Sequence, residues 1–284
     1  MTVLVFGASS QIGHFLLPRL LASGEQVLAV SRQPRAAQPD LRWLRGRLPD
    51  DVPALPPVSA IISFGPLLAF ADWLARTPLG QAPRIVATSS MSAESKRESS
   101  VPAERELSRQ LRAGETALAA ACAGQGCAWT VLRPTLVYGA GLDKSLTPIA
   151  RRAMRLRVFP LPVARGLRQP IHADDLAQAV LATLDCPAAA GRVLAIGGGE
   201  RLTAGSMFAR VRGSLPCATL PVPLPAWLLH CGRGAFPRWR GPLTRLDTDL
   251  IADNNEMQQL LGIHPRGFAP DAAAWSPPAQ ERGR

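Results

Sequence analysis

The chain has 284 residues, 47% of them hydrophobic, enough for one large α/β domain with a smaller appendage and a sizeable core. Its net charge of +11 is carried almost wholly by arginine, with Lys96 and Lys144 the only lysines; the basic residues are scattered and form no nucleic-acid motif, so the excess favours phosphates, nucleotide sugars or a membrane surface over nucleic acid. No apolar run reaches spanning length, the N-terminus lacks the layout of a signal peptide, and five cysteines without C-x-x-C spacing read as free thiols in a reducing cytoplasm rather than as a metal site.

Thr2 to Phe6 is a β-branched, apolar run that passes directly into Gly7-Ala8-Ser9-Ser10-Gln11-Ile12-Gly13 and then into the apolar segment His14 to Leu21. A buried strand turning through a Gly/Ser loop into a helix brings backbone N–H groups and the positive helix end to a pyrophosphate. Gly7 lets the chain turn tightly, and Gly13 lets the helix pack close to the strand. The loop has one glycine fewer than dinucleotide loops carry. Ser10 or Gln11 stands in the middle place, tolerable at negative φ, and a serine hydroxyl can itself donate to a phosphate oxygen.

Further strands are expected at Gln26 to Val30, Leu41 to Leu44, Val58 to Ser63, Arg84 to Ala87, Ala128 to Leu132 and Arg192 to Ile196. Helices are expected at Leu67 to Ala75, Pro102 to Ala121, Leu146 to Leu156, Asp174 to Leu184, Thr203 to Val211 and Asn254 to Leu261. An acidic residue is expected to cap the Asp174 helix. Strands alternating with helices indicate a doubly wound parallel sheet. The expected division is a Rossmann-type α/β domain over residues 1–140, with 168–196 returning to it. Residues 141–167 and 197–284 then form a small C-terminal subdomain on the substrate side. Pro216 to Pro242 resists assignment.

Five motifs in order carry a family resemblance: the Gly7–Gly13 loop; Thr88-Ser89-Ser90; Arg133-Pro134-Thr135-Leu136-Val137-Tyr138-Gly139; Arg168-Gln169-Pro170-Ile171-His172-Ala173-Asp174-Asp175-Leu176; and Ile196-Gly197-Gly198-Gly199-Glu200. The chain resembles the extended short-chain dehydrogenase/reductases from Val3 to about Phe268. Within them it looks most like the NAD-dependent epimerase/dehydratase group that acts on nucleotide sugars. The resemblance implies a nicotinamide dinucleotide on Gly7, Ser9, Ser10, Gln11, Ile12 and Gly13, with Phe64 and Gly65 on its adenosine or ribose side and Ser89 also among the cofactor-binding residues. Enzymes of the family that use NAD place a carboxylate after the second strand, and those that use NADP place an arginine. Here Ser31 and Arg32 follow that strand, with Arg35 close by and no acid. Paired hydrogen bonds from a guanidinium suit a 2′-phosphate, so NADP(H) is expected over NAD(H).

The family's Tyr-x-x-x-Lys acid/base pair aligns with Leu107 and Leu111, and the only tyrosine of the chain is Tyr138. Ser90 aligns with the catalytic serine and Ser92 with a second hydroxyl that orients substrate. Lys96 follows the serine cluster, as in a bacterial branch of epimerase-like proteins that lacks the Tyr–Lys pair, and is one candidate for the proton donor; Tyr138 is the other candidate. Arg168 falls where nucleotide-sugar epimerases hold the diphosphate. His172 and Asp174-Asp175 read as structural. The expected function is an NADP(H)-dependent oxidoreductase or epimerase of a nucleotide sugar or related carbonyl or alcohol. The alternative is a non-enzymatic NADP(H)-binding sensor or assembly protein. A cytoplasmic location is expected. Residues 223–240, with Trp227, Arg233, Arg238, Trp239 and Arg240, suit either packing of the small subdomain or peripheral contact with an anionic membrane.

Overall fold

The apolar runs that read as buried strands all enter one sheet. The structure is a computed structural model and describes residues 1–224 and 246–277. Its elements begin with β1 (Thr2–Phe6), α1 (Gln11–Ala22), β2 (Gln26–Ser31), β3 (Leu41–Arg45), β4 (Ala60–Ser63) and α2 (Leu67–Arg76). Next come β5 (Arg84–Thr88), α3 (Ser92–Ser95), α4 (Pro102–Gln125) and β6 (Trp129–Pro134). They are followed by β7 (Val137–Tyr138), α5 (Thr147–Leu156), β8 (Val158–Pro162), β9 (Leu167–Arg168), β10 (Ile171–His172) and α6 (Ala173–Leu184). The last are β11 (Arg192–Ile196), β12 (Leu202–Thr203), α7 (Ala204–Gly213), β13 (Leu220–Leu224) and α8 (Asn255–Leu261).

The central sheet has the order β11-β6-β5-β4-β1-β2-β3, all parallel. A parallel sheet covered on both faces requires strands apolar on both faces, which is why β1, β2 and β4 are nearly continuous buried runs. One face packs Leu16 and Leu20 of α1 against Leu176 and Val180 of α6. The other packs Phe70, Trp73 and Leu74 of α2 against Leu118 of α4. This is the expected Rossmann-type architecture. The strand order reverses between β1 and β4, so a crevice opens above the C-terminal ends of those strands.

A third core lies beside this crevice and takes Tyr138, Phe159, Met207, Phe208, Phe268 and Trp275 from late elements. Its short sheets pair β12 with β9 and β13 with β8. The strands β7, β9, β10 and β12 have two residues each and were not anticipated, because so short a run has no period to read. Residues 225–240 of the segment that suits membrane contact lie outside the described residues.

The cap of α6 differs from expectation. His172, not an acid, is its N-cap, and Nδ1 accepts from the Asp174 N–H at 3.1 Å. Asp174 and Asp175 sit in the first turn, where carboxylates meet the positive helix end. Asp174 accepts from Arg19 at 2.6 Å and from Arg266 at 2.8 Å, and Asp175 accepts from Arg266, so the pair ties α6 to α1 and to the C-terminal stretch.

Candidate functional site

The glycine loop is built as its letters require. Gly7 has φ +70°, and a Cβ there would lie 3.1 Å from Phe64 Cβ. A Cβ on Gly13 would fall 2.1 Å from the Ala8 carbonyl oxygen, so α1 begins against the loop backbone with no room for a side chain. Ser10 takes the middle place at φ −74° and caps α1, its hydroxyl oxygen accepting from the Gly13 N–H at 3.2 Å. That bond leaves the hydroxyl proton of Ser10 available to an acceptor in the crevice. Ser9, Ser10 and Gln11 line the crevice, and Gln11 Oε1 is a buried oxygen with no hydrogen-bond partner among the described residues. Ile12 is buried in the core, so only its backbone faces the loop.

The crevice continues as a cleft of about 1710 Å³ that runs from this loop to the third core. At the end of β2 it is lined by Ser31, Arg32, Gln33 and Arg35, with no carboxylate among them. Ser31 is buried and accepts from the Gln33 N–H at 3.2 Å, which shapes the turn that presents Arg32 to solvent. The Arg35 guanidinium lies 5.0 Å over the Trp43 ring.

The floor of the cleft is the serine cluster after β5. Ser90 Oγ accepts from the Ser92 N–H at 3.1 Å, fixing the Ser90 hydroxyl at the start of α3, and both serines line the cleft. Lys96 closes α3, lines the cleft and keeps only 14% of its side chain exposed. Its Nζ lies 3.9 Å from Glu104 Oε1. Glu104 is buried at the start of α4, and its other oxygen accepts from Ser99 Oγ at 2.7 Å. Ser108 donates to the Ala93 carbonyl at 2.6 Å and holds α3 on α4. Glu104 was missed from sequence because it looked like any carboxylate in the first turn of a helix. Only the return of α4 beside α3 shows that it faces Lys96. Leu107 is 39% exposed, and neither it nor Leu111 lines the cleft.

The far wall comes from Thr135 to Val137, Leu142 to Leu146, Arg168, Leu246 and Thr248 to Leu250. Arg168 is 6% exposed, and its Nη1 donates to the carbonyls of Leu167 at 2.7 Å and Thr248 at 2.6 Å. Burial lowers its pKa, against the opposing pull of Asp249 and Asp247. Asp143 also lines the wall, but its carboxylate accepts from the Ser145, Leu146 and Thr147 N–H groups and so caps α5. Lys144, which sequence reasoning left aside, is exposed at the rim.

Tyr138 is not brought to the cleft. It is 1% exposed, with its ring edge-on to His172 at 5.1 Å and to Phe268 at 4.8 Å. Burial pushes its pKa up to about 12, which suits a structural phenol and not a proton shuttle near neutrality. Gly7, Ile12, Gly13, Phe64, Gly65 and Ser89 stand behind the lining rather than in it. Ser89 Oγ is buried with no hydrogen-bond partner among the described residues.

Residues 80–197 match the model of the NAD dependent epimerase/dehydratase family. A UDP-glucose 4-epimerase of Vibrio cholerae is 24% identical over 153 residues, which are 51% of this chain and 46% of that protein. The chain thus spans a little under half the length of that curated relative. Among solved structures, MoeE5 in complex with UDP-glucuronic acid and NAD superposes with a TM-score of 0.72 at 21% identity, covering 97% of both chains. The UDP-glucuronic acid 4-epimerase from Bacillus cereus in complex with NAD gives 0.72 at 14% identity, again over 97% of both. Both likenesses establish the fold.

Proposed function

We propose that this chain is a member of the NAD-dependent epimerase/dehydratase family, whose model residues 80–197 match, and acts as an NADP(H)-dependent oxidoreductase or epimerase of a nucleotide sugar. One observation carries the reading. A single cleft joins the Ser9–Gln11 loop, the arginines after β2, the Ser90–Lys96 cluster and Arg168. The loop fits a dinucleotide, because Gly7 and Gly13 occupy places that a Cβ would crowd and the α1 N-terminus faces the cleft. Arg32 and Arg35 would take a 2′-phosphate. The neighbouring folds were solved with NAD, and the choice of NADP(H) here rests on those arginines and on the absence of an acid beside them.

A bound nicotinamide would supply hydride transfer at a sugar carbon. The protein supplies the rest. Ser90 and Ser92 would orient the reacting oxygen, with Ser90 Oγ already fixed by the Ser92 N–H. Lys96 Nζ would hold and move the proton, a role taken elsewhere in the family by tyrosine. Arg168 would meet the substrate diphosphate from the far wall. One observation favours the non-enzymatic alternative: the only tyrosine is buried away from the cleft. Incubation with NADP+ or NADPH and a panel of UDP-sugars separates the two readings. Change at the nicotinamide absorbance band, or epimer formation, supports the enzyme. Tight cofactor binding without turnover on any sugar supports the sensor.

A further inference from the structure

The net charge of the chain is not spread evenly. Between Asp143 and Asp174 there are seven basic residues and no carboxylate, and between Glu200 and Asp247 there are seven more and none. Those two stretches exceed the whole net charge of +11, so the remainder of the chain is slightly acidic. Among the described residues the two stretches meet where β8 from the first pairs with β13 from the second.

Several of these arginines are spent inside the protein. Arg151 donates to the Gly141 carbonyl, Arg210 pairs with Glu200, and Arg212 donates to the Thr219 carbonyl. Arg152, Arg155 and Arg157 are exposed at the end of α5 and just beyond it, and none has an ion-pair partner among the described residues. Around them the surface is apolar. Leu156 is 54% exposed, Val163 58% and Leu220 64%, and Val158 and Val222 are also open to solvent. These five are most of the eight large apolar side chains exposed among the described residues. They are contiguous: Leu220 stands opposite Val158, Val222 opposite Pro160, and the Leu220 N–H bonds the Arg157 carbonyl at 2.8 Å.

We propose that this α5–β8–β13 face docks on an anionic lipid bilayer. Aliphatic side chains flanked by arginines insert at the headgroup boundary while the guanidinium groups meet lipid phosphates. A second copy of the chain is a poor occupant, because the face would meet its own charge. Strand addition is disfavoured too. The Leu220 N–H points to β8, so the neighbouring Pro221 and Pro223 fall on the outer edge, where they offer no donor. The nucleotide-sugar cleft does not account for these groups, since none of Arg152, Arg155, Arg157 and Leu220 lines it. The proposal stands independently of the function proposed above.

The test is co-sedimentation of the full chain with vesicles of phosphatidylcholine alone and of phosphatidylcholine mixed with phosphatidylglycerol. The chain is expected to partition onto the anionic vesicles only, and less as salt rises. R152Q combined with R155Q should lower the partition coefficient about twenty-five-fold, at about fivefold per charge. Leu220→Ser should lower it by about tenfold through lost insertion. The urea unfolding midpoint should match the parent in both variants, which reports an intact fold. Absence of binding to anionic vesicles at low salt overturns the proposal, as does equal binding to both vesicle types. Duplex DNA binding that needs the arginines but not Leu220 points instead to nucleic acid, and dimerisation lost in Leu220→Ser points to self-association; either result overturns it.

Discussion

Gly13→Ala tests the geometry of the glycine loop directly. The added Cβ would lie 2.1 Å from the Ala8 carbonyl oxygen, 2.5 Å from its carbon and 2.8 Å from Ala8 Cα. All three are backbone atoms, so no side chain can swing away, and α1 must withdraw by about 1 Å or more to reach ordinary contact. Overpacking at a rigid site costs about 1–3 kcal/mol. The withdrawal also strains the bond from the Gly13 N–H to Ser10 Oγ, the cap of α1, worth about 1 kcal/mol. We therefore expect a stability loss of about 2–4 kcal/mol in urea unfolding. The helix end that would face the diphosphate moves as well, so NADPH should bind at least about tenfold more weakly, a change of about 1.4 kcal/mol. Gly124→Ala is the control. Gly124 lies inside α4 with nothing near its would-be Cβ, so alanine there should be neutral or stabilise by up to about 1 kcal/mol. A Gly13→Ala protein as stable as the parent would refute the packing argument. A destabilised one with full NADPH affinity would place the dinucleotide elsewhere.

Arg32→Ala should weaken NADPH by about 1–3 kcal/mol and leave NADH nearly unchanged, as read by fluorescence titration. Equal losses for both cofactors would remove Arg32 from the 2′-phosphate. Lys96→Met should lower turnover on the order of a hundredfold to ten-thousandfold; because it removes the cation 3.9 Å from the buried Glu104 carboxylate, K96M combined with Glu104→Gln should recover stability without recovering rate. Arg168→Ala should raise the KM for a UDP-sugar about tenfold or more with NADPH affinity close to the parent's. The imidazole of His172 is held below its ordinary value of 6.5, by burial first and by Arg266 second. As pH falls below about 6.5 the unfolded chain takes up a proton before the folded one. Stability present above that pH is then lost on acidification. Urea unfolding between pH 7 and 5 should show this loss, and His172→Asn, which keeps a capping oxygen, should flatten it.

The sheet was legible because its central strands are buried on both faces and so are written as apolar runs, Val3 to Phe6 being the clearest. The glycine loop was legible for the same local reason, since its function depends on adjacent residues. Glu104 was not legible, because its meaning depends on α3 lying across α4 and no sequence spacing records that. Tyr138 misled in the opposite direction. Its motif borders the cleft, but the pleat turns its ring toward His172 and Phe268, and the hydroxyl is lost to the third core. The cap of α6 was misread because Asp174 is a common cap while histidine is an unusual one, and only the 3.1 Å contact to Nδ1 identifies His172. The β8–β13 ribbon went unseen because Pro160, Pro162, Pro221 and Pro223 argue against strands.

The cleft between the Gly7–Gly13 loop and Arg168 is proposed as a dinucleotide site selective for a 2′-phosphate. Calorimetric titration of the full chain with NADPH and with NADH tests it most directly. We expect one NADPH per chain, bound about tenfold or more tighter than NADH, since a charge-assisted contact to the phosphate is worth about 1.5–3 kcal/mol. Binding of neither cofactor, or NADH binding as tightly as NADPH, would contradict it.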